Sequence, residues 1–305
     1  MQMSNISRRR FALVTGALAA ASAAQGQSRA ITAEEAVRRI QKTLGGEPAP
    51  NSPDGFKAGD PGTRVTGIAT TAMATMDVFK RCSAAGLNLI LSYEPTFFGR
   101  ADGPARPEAG GPPGRGPAGI SPADPVYAAK KDFLDKHGLV VFRLRDQWQA
   151  RKPDAMVLGL AESLGWTGHR VKPDDVLYDV PAATAEDIVT HLRGKLSLKG
   201  GLRAVGDRKA RVRRVLLHPG LLTPQTLWTR YTDADLIVAG EVREWENTFF
   251  AADLHTAGQK PGLVTLGRVA SEEPGMRVCA DWLKTIVPEV PARWIGAGDP
   301  YWRAS

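Results

Sequence analysis

From residue 65 to the C-terminus, short apolar runs alternate with stretches of helical spacing, and this alternation limits the fold more than any other feature. Residues 65–71, 87–91, 139–142, 176–180, 212–217, 235–239, 263–266 and 292–295 read as strands, being too short for helices and bounded by turn residues. Between them, 76–85, 125–136, 154–164, a stretch opening at Thr184-Ala185-Glu186-Asp187, 224–231, 244–257 and 274–286 read as helices. Strands alternating with helices predict an α/β protein whose mixed or largely parallel sheets are covered on both faces. Ahead of this, Thr32-Ala33-Glu34-Glu35 has the form of a capping box and predicts a helix through Leu44, closed by Gly45-Gly46. A Pro/Asn/Gly/Asp-rich stretch to Gly62 reads as loop.

Composition narrows the class further. Apolar residues make up 43% and charged residues 24% of 305, which excludes wholesale disorder, collagen and coiled coil. Two cysteines cannot build a disulfide framework or a cysteine-ligated zinc site, and Cys82 and Cys279 lie in apolar helical patterns as expected of buried thiols. No apolar run reaches the roughly 18 residues of a spanning helix, so no stable membrane insertion is expected once the leader is gone.

That leader is residues 1–30. Ser7-Arg8-Arg9-Arg10-Phe11, a short apolar segment, and small residues around Ala21-Ser22-Ala23 together resemble a twin-arginine export signal, which predicts a periplasmic or otherwise extracytoplasmic protein. Loss of residues 1–24 removes three arginines and no acid, taking the net charge from +8 to about +5. Charge so dilute, without basic runs interleaved with aromatics, argues against nucleic acid as a partner. The remainder divides into an N-terminal α/β lobe over 31–170 and a C-terminal one over 171–305. Residues 101–125 hold seven prolines and six glycines and read as a flexible surface loop.

In open α/β sheets, ligands bind beyond the carboxyl ends of the strands. Four of those ends carry an acid: Glu94 after 87–91, Asp146 after 139–142, Glu241 after 235–239 and Glu272 after 263–266. Carboxylates that converge need a cation or a proton between them, so a hard-metal or acid–base site is one reading. The other is that each acid merely favours the N-terminus of a following helix. His218 is the histidine at a strand end, to be read as structural or as a ligand. A Walker loop, a GxGxxG following a strand, GxSxG and HExxH are lacking.

The blocks 88–98 (NLILSYEPTFF), 142–149 (FRLRDQWQ), Gly240-Glu241 and 267–275 (GRVASEEPG) resemble, in matching order, the Nif-three-like proteins, toroidal dinuclear-metal proteins sometimes labelled type-2 GTP cyclohydrolases. The resemblance implies two α/β lobes facing a shared cleft, a hexameric ring of dimers, and two metal ions. Its ligand positions fall on Tyr93, Glu94, Gln149, Arg268 and Glu272. Tyrosine and arginine stand where histidines are expected at 93 and 268, glutamine where Asp or His is expected at 149, and Arg145 where relatives have a histidine. Arginine cannot ligate a cation, which leaves Glu94 and Glu272 as candidate ligands and at most one weakly held divalent ion, with no other cofactor expected. Arg145, Asp146, Glu241 and Arg268 become candidates for holding a small anionic ligand. The sequence therefore carries three readings: a non-catalytic ring protein that has lost most of its two-metal site, a binding protein for an anion, and a metal-dependent hydrolase working from residual carboxylates.

Replacing Arg8 and Arg9 together by lysine is expected to hold the protein in the cytoplasm, since the twin-arginine machinery reads that pair. Cell fractionation checks this, and wild-type levels of the double-lysine variant outside the cytoplasm would refute the export reading.

Overall fold

The computed structural model describes residues 30–99, 102, 120–171, 176–196, 198 and 201–302. Most of the segment read as an export signal, and most of the proline- and glycine-rich stretch read as a loop, lie outside the described residues. The compact unit that begins at Thr32 holds all that follows.

Its first helix, α1 (Ala33–Thr43), starts as the capping box requires, with Thr32 Oγ1 accepting the Glu35 N–H at 3.2 Å. Strands β1 (Gly55–Ala58), β2 (Ile68–Thr71), β3 (Leu89–Ser92) and β4 (Val140–Arg143) follow, with helices α2 (Met76–Ala84) after β2 and α3 (Pro125–Lys136) before β4. A short turn of helix, α4 (Asp146–Gln149), and α5 (Ala155–Ser163) lead into the second half. There β5 (Leu177–Thr184), α6 (Ala185–Leu196), β6 (Arg203–Val205), β7 (Arg211–Leu222), α7 (Pro224–Arg230), β8 (Leu236–Val242), α8 (Phe249–Thr256), β9 (Gly262–Thr265), α9 (Arg268–Ile286) and β10 (Ala292–Trp294) complete the order.

These strands form two five-stranded mixed sheets covered by helices, an α/β fold of two lobes. The first runs β1-β4-β3-β2-β10, parallel except for β1 against β4; the second runs β5-β7-β8-β9-β6, with the three central strands parallel and both edges antiparallel. The central strands of the first sheet are fully buried, which is why they read as continuous apolar runs without alternation. One face of the first sheet packs Ala69, Ile90 and Val141 on Val78, Phe79, Cys82 and Leu134 of α2 and α3. The second sheet has a core on each face, one with Leu160 and Ala161 of α5, Ile188 and Leu192 of α6, and Val215, Leu217 and Val238, the other with Leu216, Leu227, Ile237 and Ala251. Cys82 and Cys279 are buried free thiols, and burial pushes both above the ordinary thiol value. Among the described residues no helix is long and apolar enough to cross a membrane.

Three elements sit differently from the sequence reading. The last strand, grouped with the C-terminal lobe by its place in the chain, pairs with β2 in the first sheet: Ala292 lies opposite Ile68 and Trp294 opposite Thr70. Helix α5, grouped with the N-terminal lobe, buries its apolar face in the core of the second sheet. Helix α9 begins at Arg268, not at Pro274, so the proline lies inside it. Proline inside a helix has no N–H for the carbonyl four residues back, here that of Ala270, and local signals alone make it a start. Packing overrides that cost, because α9 lies against β2, β10, β7, β8 and α5 at once. Residues 244–248 also form a π-helical turn ahead of α8, and β1 lies within the stretch read as loop.

The crossing of α5 and α9 depends on two glycines. A Cβ on Gly159 would sit 2.5 Å from the Pro274 carbonyl oxygen, and one on Gly275 would sit 2.5 Å from Met156 Sδ and 2.7 Å from Met156 Cα. Gly159→Ala is therefore expected to destabilise by about 1–3 kcal/mol through overpacking. Gly194→Ala on α6, where a Cβ meets nothing within 4 Å, should stabilise by about 0.5–1 kcal/mol. Urea unfolding of the two variants measures both, and equal signs would contradict the packing argument.

Candidate functional site

The carboxyl ends of β3, β4, β8 and β9 meet at the start of α9. After β3 the chain bends, with Tyr93 and Glu94 N–H groups donating to the Thr71 and Ala72 carbonyls at 3.1 and 2.8 Å. The buried ammonium of Lys130 on α3 holds the following turn by donating to the Ala74 and Thr96 carbonyls at 2.9 and 2.5 Å. Desolvation lowers its pKa to about 8. Glu94 is thereby fixed, buried, between the two sheets.

Two guanidiniums converge on one oxygen of that carboxylate. Arg145 Nη1 donates to Glu94 Oε1 at 2.5 Å, and Arg268 donates to the same oxygen from Nη2 at 2.8 Å and from Nε at 3.2 Å. Arg268 Nε also lies 3.5 Å from Glu272 Oε1, and its Nη1 lies 3.7 Å from Glu241 Oε2. Burial weighs against the charge of both arginines, but Glu94 and the neighbouring acids outweigh it and hold both above the ordinary arginine value. Burial, and then the Glu94 charge, push the Glu272 carboxyl well above the usual carboxylate range, against the pull of Arg268 and Arg145. Its Oε2 is buried without a hydrogen-bond partner. Tyr93 is buried with its ring 4.9 Å from the Arg145 guanidinium carbon, and burial raises its phenol.

The second sheet reaches this cluster through a β-bulge. His218 pairs with Ala239 and Leu221 with Glu241, so Pro219-Gly220 holds one residue more than β8 opposes. Gly220 has φ +77°, and a Cβ there would lie 2.7 Å from Glu272 Oε1. Ser271 Oγ accepts the Gly220 N–H at 2.9 Å and donates to the Arg268 carbonyl at 2.6 Å. A Cβ on Gly240 would lie 2.2 Å from that hydroxyl oxygen. The bulge and the two glycines let α9 lay Ser271 and Glu272 directly on the strand ends.

Glu94, Arg145, Arg268, Glu272 and, at the edge, Glu241 are thus one constellation, with Tyr93 against it. Asp146 and Gln149 are not part of it. Both are exposed, and Asp146 accepts from Ser52 Oγ at 2.9 Å. His218 is half-buried on β7, its Nδ1 without a hydrogen-bond partner, and burial lowers its pKa. Sequence reasoning missed Asp54, whose Oδ1 accepts the N–H groups of Arg145 and Asp146 at 2.7 and 3.0 Å and whose Oδ2 accepts that of Gln147 at 2.9 Å. It caps a turn that has no side-chain cap of its own and so aims Arg145. The one local signal for it was a turn-forming Pro53-Asp54-Gly55.

Glu94→Gln should cost about 2–4 kcal/mol, because two largely buried guanidiniums lose their countercharge. Glu272→Gln should behave oppositely. With the folded pKa raised, the stability tied to protonated Glu272 is present at low pH and lost as pH rises through and beyond the usual carboxylate range. Glutamine cannot ionise, so the variant should match wild type in acid and exceed it increasingly as pH rises. Denaturant midpoints across pH test the pair, and an equal loss in both variants would sink this electrostatic account.

No family model matches the sequence, and no curated protein matches it. Solved structures do. A Bacillus cereus protein related to NIF3 matches with a TM-score of 0.67 at 12% identity, covering 91% of this chain and 100% of that one. The Staphylococcus aureus protein SA1388 matches with a TM-score of 0.65 at 15% identity over 90% of this chain and 99% of that one. HcgD from Methanocaldococcus jannaschii, in its reduced form, matches at 0.58 and 14% identity over 87% and 97%. Identities this low speak for architecture alone, and the chain has the NIF3-like fold.

Proposed function

We propose that this chain is a NIF3-like protein in which arginines have taken over the charge of the two metal ions, and that it does not work as a metal-dependent hydrolase. The observation that carries the reading is the pair of guanidiniums on Glu94 Oε1, one donated after β4 and one from the first residue of α9. Guanidinium has five N–H donors and no acceptor, so each arginine neutralises a carboxylate while barring a cation from the same place. The remaining oxygen donors, Glu94 and Glu272, are too few for a tight two-metal centre. Among the described residues no group of three or more His, Cys, Asp or Glu side chains is arranged to hold a metal. The two ions implied by the sequence resemblance therefore do not fit these residues.

Purified protein is expected to carry well under one equivalent of transition metal per chain. Millimolar zinc or manganese should barely move its melting temperature, since a ligand stabilises only in proportion to its free concentration over its Kd. The double change Tyr93→His, Arg268→His, at two positions beside Glu94 and Glu272, should gain metal and a metal-dependent rise in melting temperature. Elemental analysis decides the matter: two tightly held metals per wild-type chain would overturn the reading.

A further inference from the structure

We infer that Arg145 and Arg268 together form a binding site for a small oxyanion, a carboxylate or a phosphate, at the carboxyl ends of the two sheets. This inference rests on the metal-free reading of the same cluster and names the class of ligand it takes.

The first ground is unspent hydrogen-bonding capacity. Among the described residues the two side chains make three hydrogen bonds, all to one oxygen, Glu94 Oε1. Each guanidinium has about five donors in a rigid fork, so most of the pair's donors remain for another acceptor. Nor are they sealed in. The side chains are 23% and 27% exposed, so solvent reaches both.

The second ground is preorganisation. Asp54 aims the Arg145 backbone, the Tyr93 ring lies 4.9 Å from its guanidinium carbon, and Glu94 fixes its Nη1. Arg268 is held by Glu94 from Nε and Nη2, which leaves Nη1 turned away from that contact. An anion arriving here meets a fork already in place, and the ordering cost that weakens most surface arginine sites is reduced. Helix α9 adds to this: it runs for 19 residues from Arg268, and its N-cap, Gly267, has no side chain to cap the first turn.

The third ground is a competitor that can leave. Glu241 Oε2 is 3.7 Å from Arg268 Nη1, beyond hydrogen-bond reach, and its side chain is 48% exposed. A ligand oxyanion can take the Nη1 edge while Glu241 turns to solvent. Glu272, buried on the far side against Gly220, does not compete for that edge.

Calorimetric titration of the purified protein at low ionic strength, before and after metal is stripped with EDTA and the EDTA dialysed away, tests the inference. Inorganic phosphate and malonate are the probes and chloride is the control. At least one of the two should bind saturably at one site per chain and raise the melting temperature, with EDTA making no difference. Phosphate alone or malonate alone would each support the inference and tell which oxyanion the fork prefers. Arg145→Lys and Arg268→Lys keep the charge but lose the fork, and each should weaken binding about tenfold. Glu241→Gln removes the competitor and should tighten binding several-fold; it decides the matter should a lysine variant fail to fold. No saturable binding of either probe, or unchanged affinity in Glu241→Gln, overturns the inference while leaving the metal-free reading to stand on elemental analysis. Binding abolished by EDTA overturns both.

Discussion

One oxygen atom joins the two halves of this protein. Glu94 Oε1 receives Arg145 from its own sheet and Arg268 from the helix that leaves the other, across 174 residues of sequence. A buried carboxylate is stable only when paired and hydrogen-bonded, and each of the two arginines is equally in need of it. The geometry around that atom follows from this mutual need. The Lys130 ammonium holds the Glu94 turn, Asp54 caps the Arg145 turn, and Ser271 ties the Gly220 bulge to the start of α9. None of these supports touches Glu94 Oε1, yet each sets the position of a group that does.

On the proposed metal-free reading, the same arrangement would let a fold outlive one chemistry. A dinuclear metal centre and an arginine–glutamate cluster solve the same electrostatic problem, acids gathered at strand ends with nowhere to place their charge. Metals answer it with open coordination positions, and guanidiniums answer it with directed donors. On that reading, exchanging one for the other would keep sheets, bulge and helix and change what can be bound. The likeness to the Bacillus cereus protein related to NIF3 spans 91% of the chain at 12% identity, a sharing of fold alone. Architecture is shared where residues are not, and function has to be argued from the site.

Much of this was legible in the sequence, and what was not has definite causes. Glu94, Glu241 and Glu272 could be found because the carboxyl ends of parallel strands are where an α/β sheet presents side chains, whereas Arg145 and Arg268 could be reached only through the family resemblance. Asp146, from the strand-end rule, and Gln149, from the resemblance, lie outside the cluster because the turn after β4 leaves them exposed, which no one-dimensional pattern records. Asp54 stayed hidden because its partners lie 91 to 93 residues away. Pro274 misled because its cost is local, whereas the gain from packing α9 against two sheets and α5 is not. The placement of β10 beside β2 likewise depends on pairing that local periodicity cannot encode.

That last pairing reaches beyond the folded state. Thr70 on β2 donates to the Met276 carbonyl on α9, 206 residues away at 2.6 Å, and Glu273 on the same helix accepts from Trp294 and Ala297 to seat β10. A nascent chain that stops short of α9 lacks all of these partners. Until residues 292–294 are made, β2 is a bare sheet edge of the kind that invites pairing with other chains. The first sheet is begun by β2 and closed by β10, strands far apart in the sequence. Completion of that sheet therefore waits on β10, and a premature stop even slightly upstream of residue 292 leaves the N-terminal half as exposed to aggregation as one far earlier.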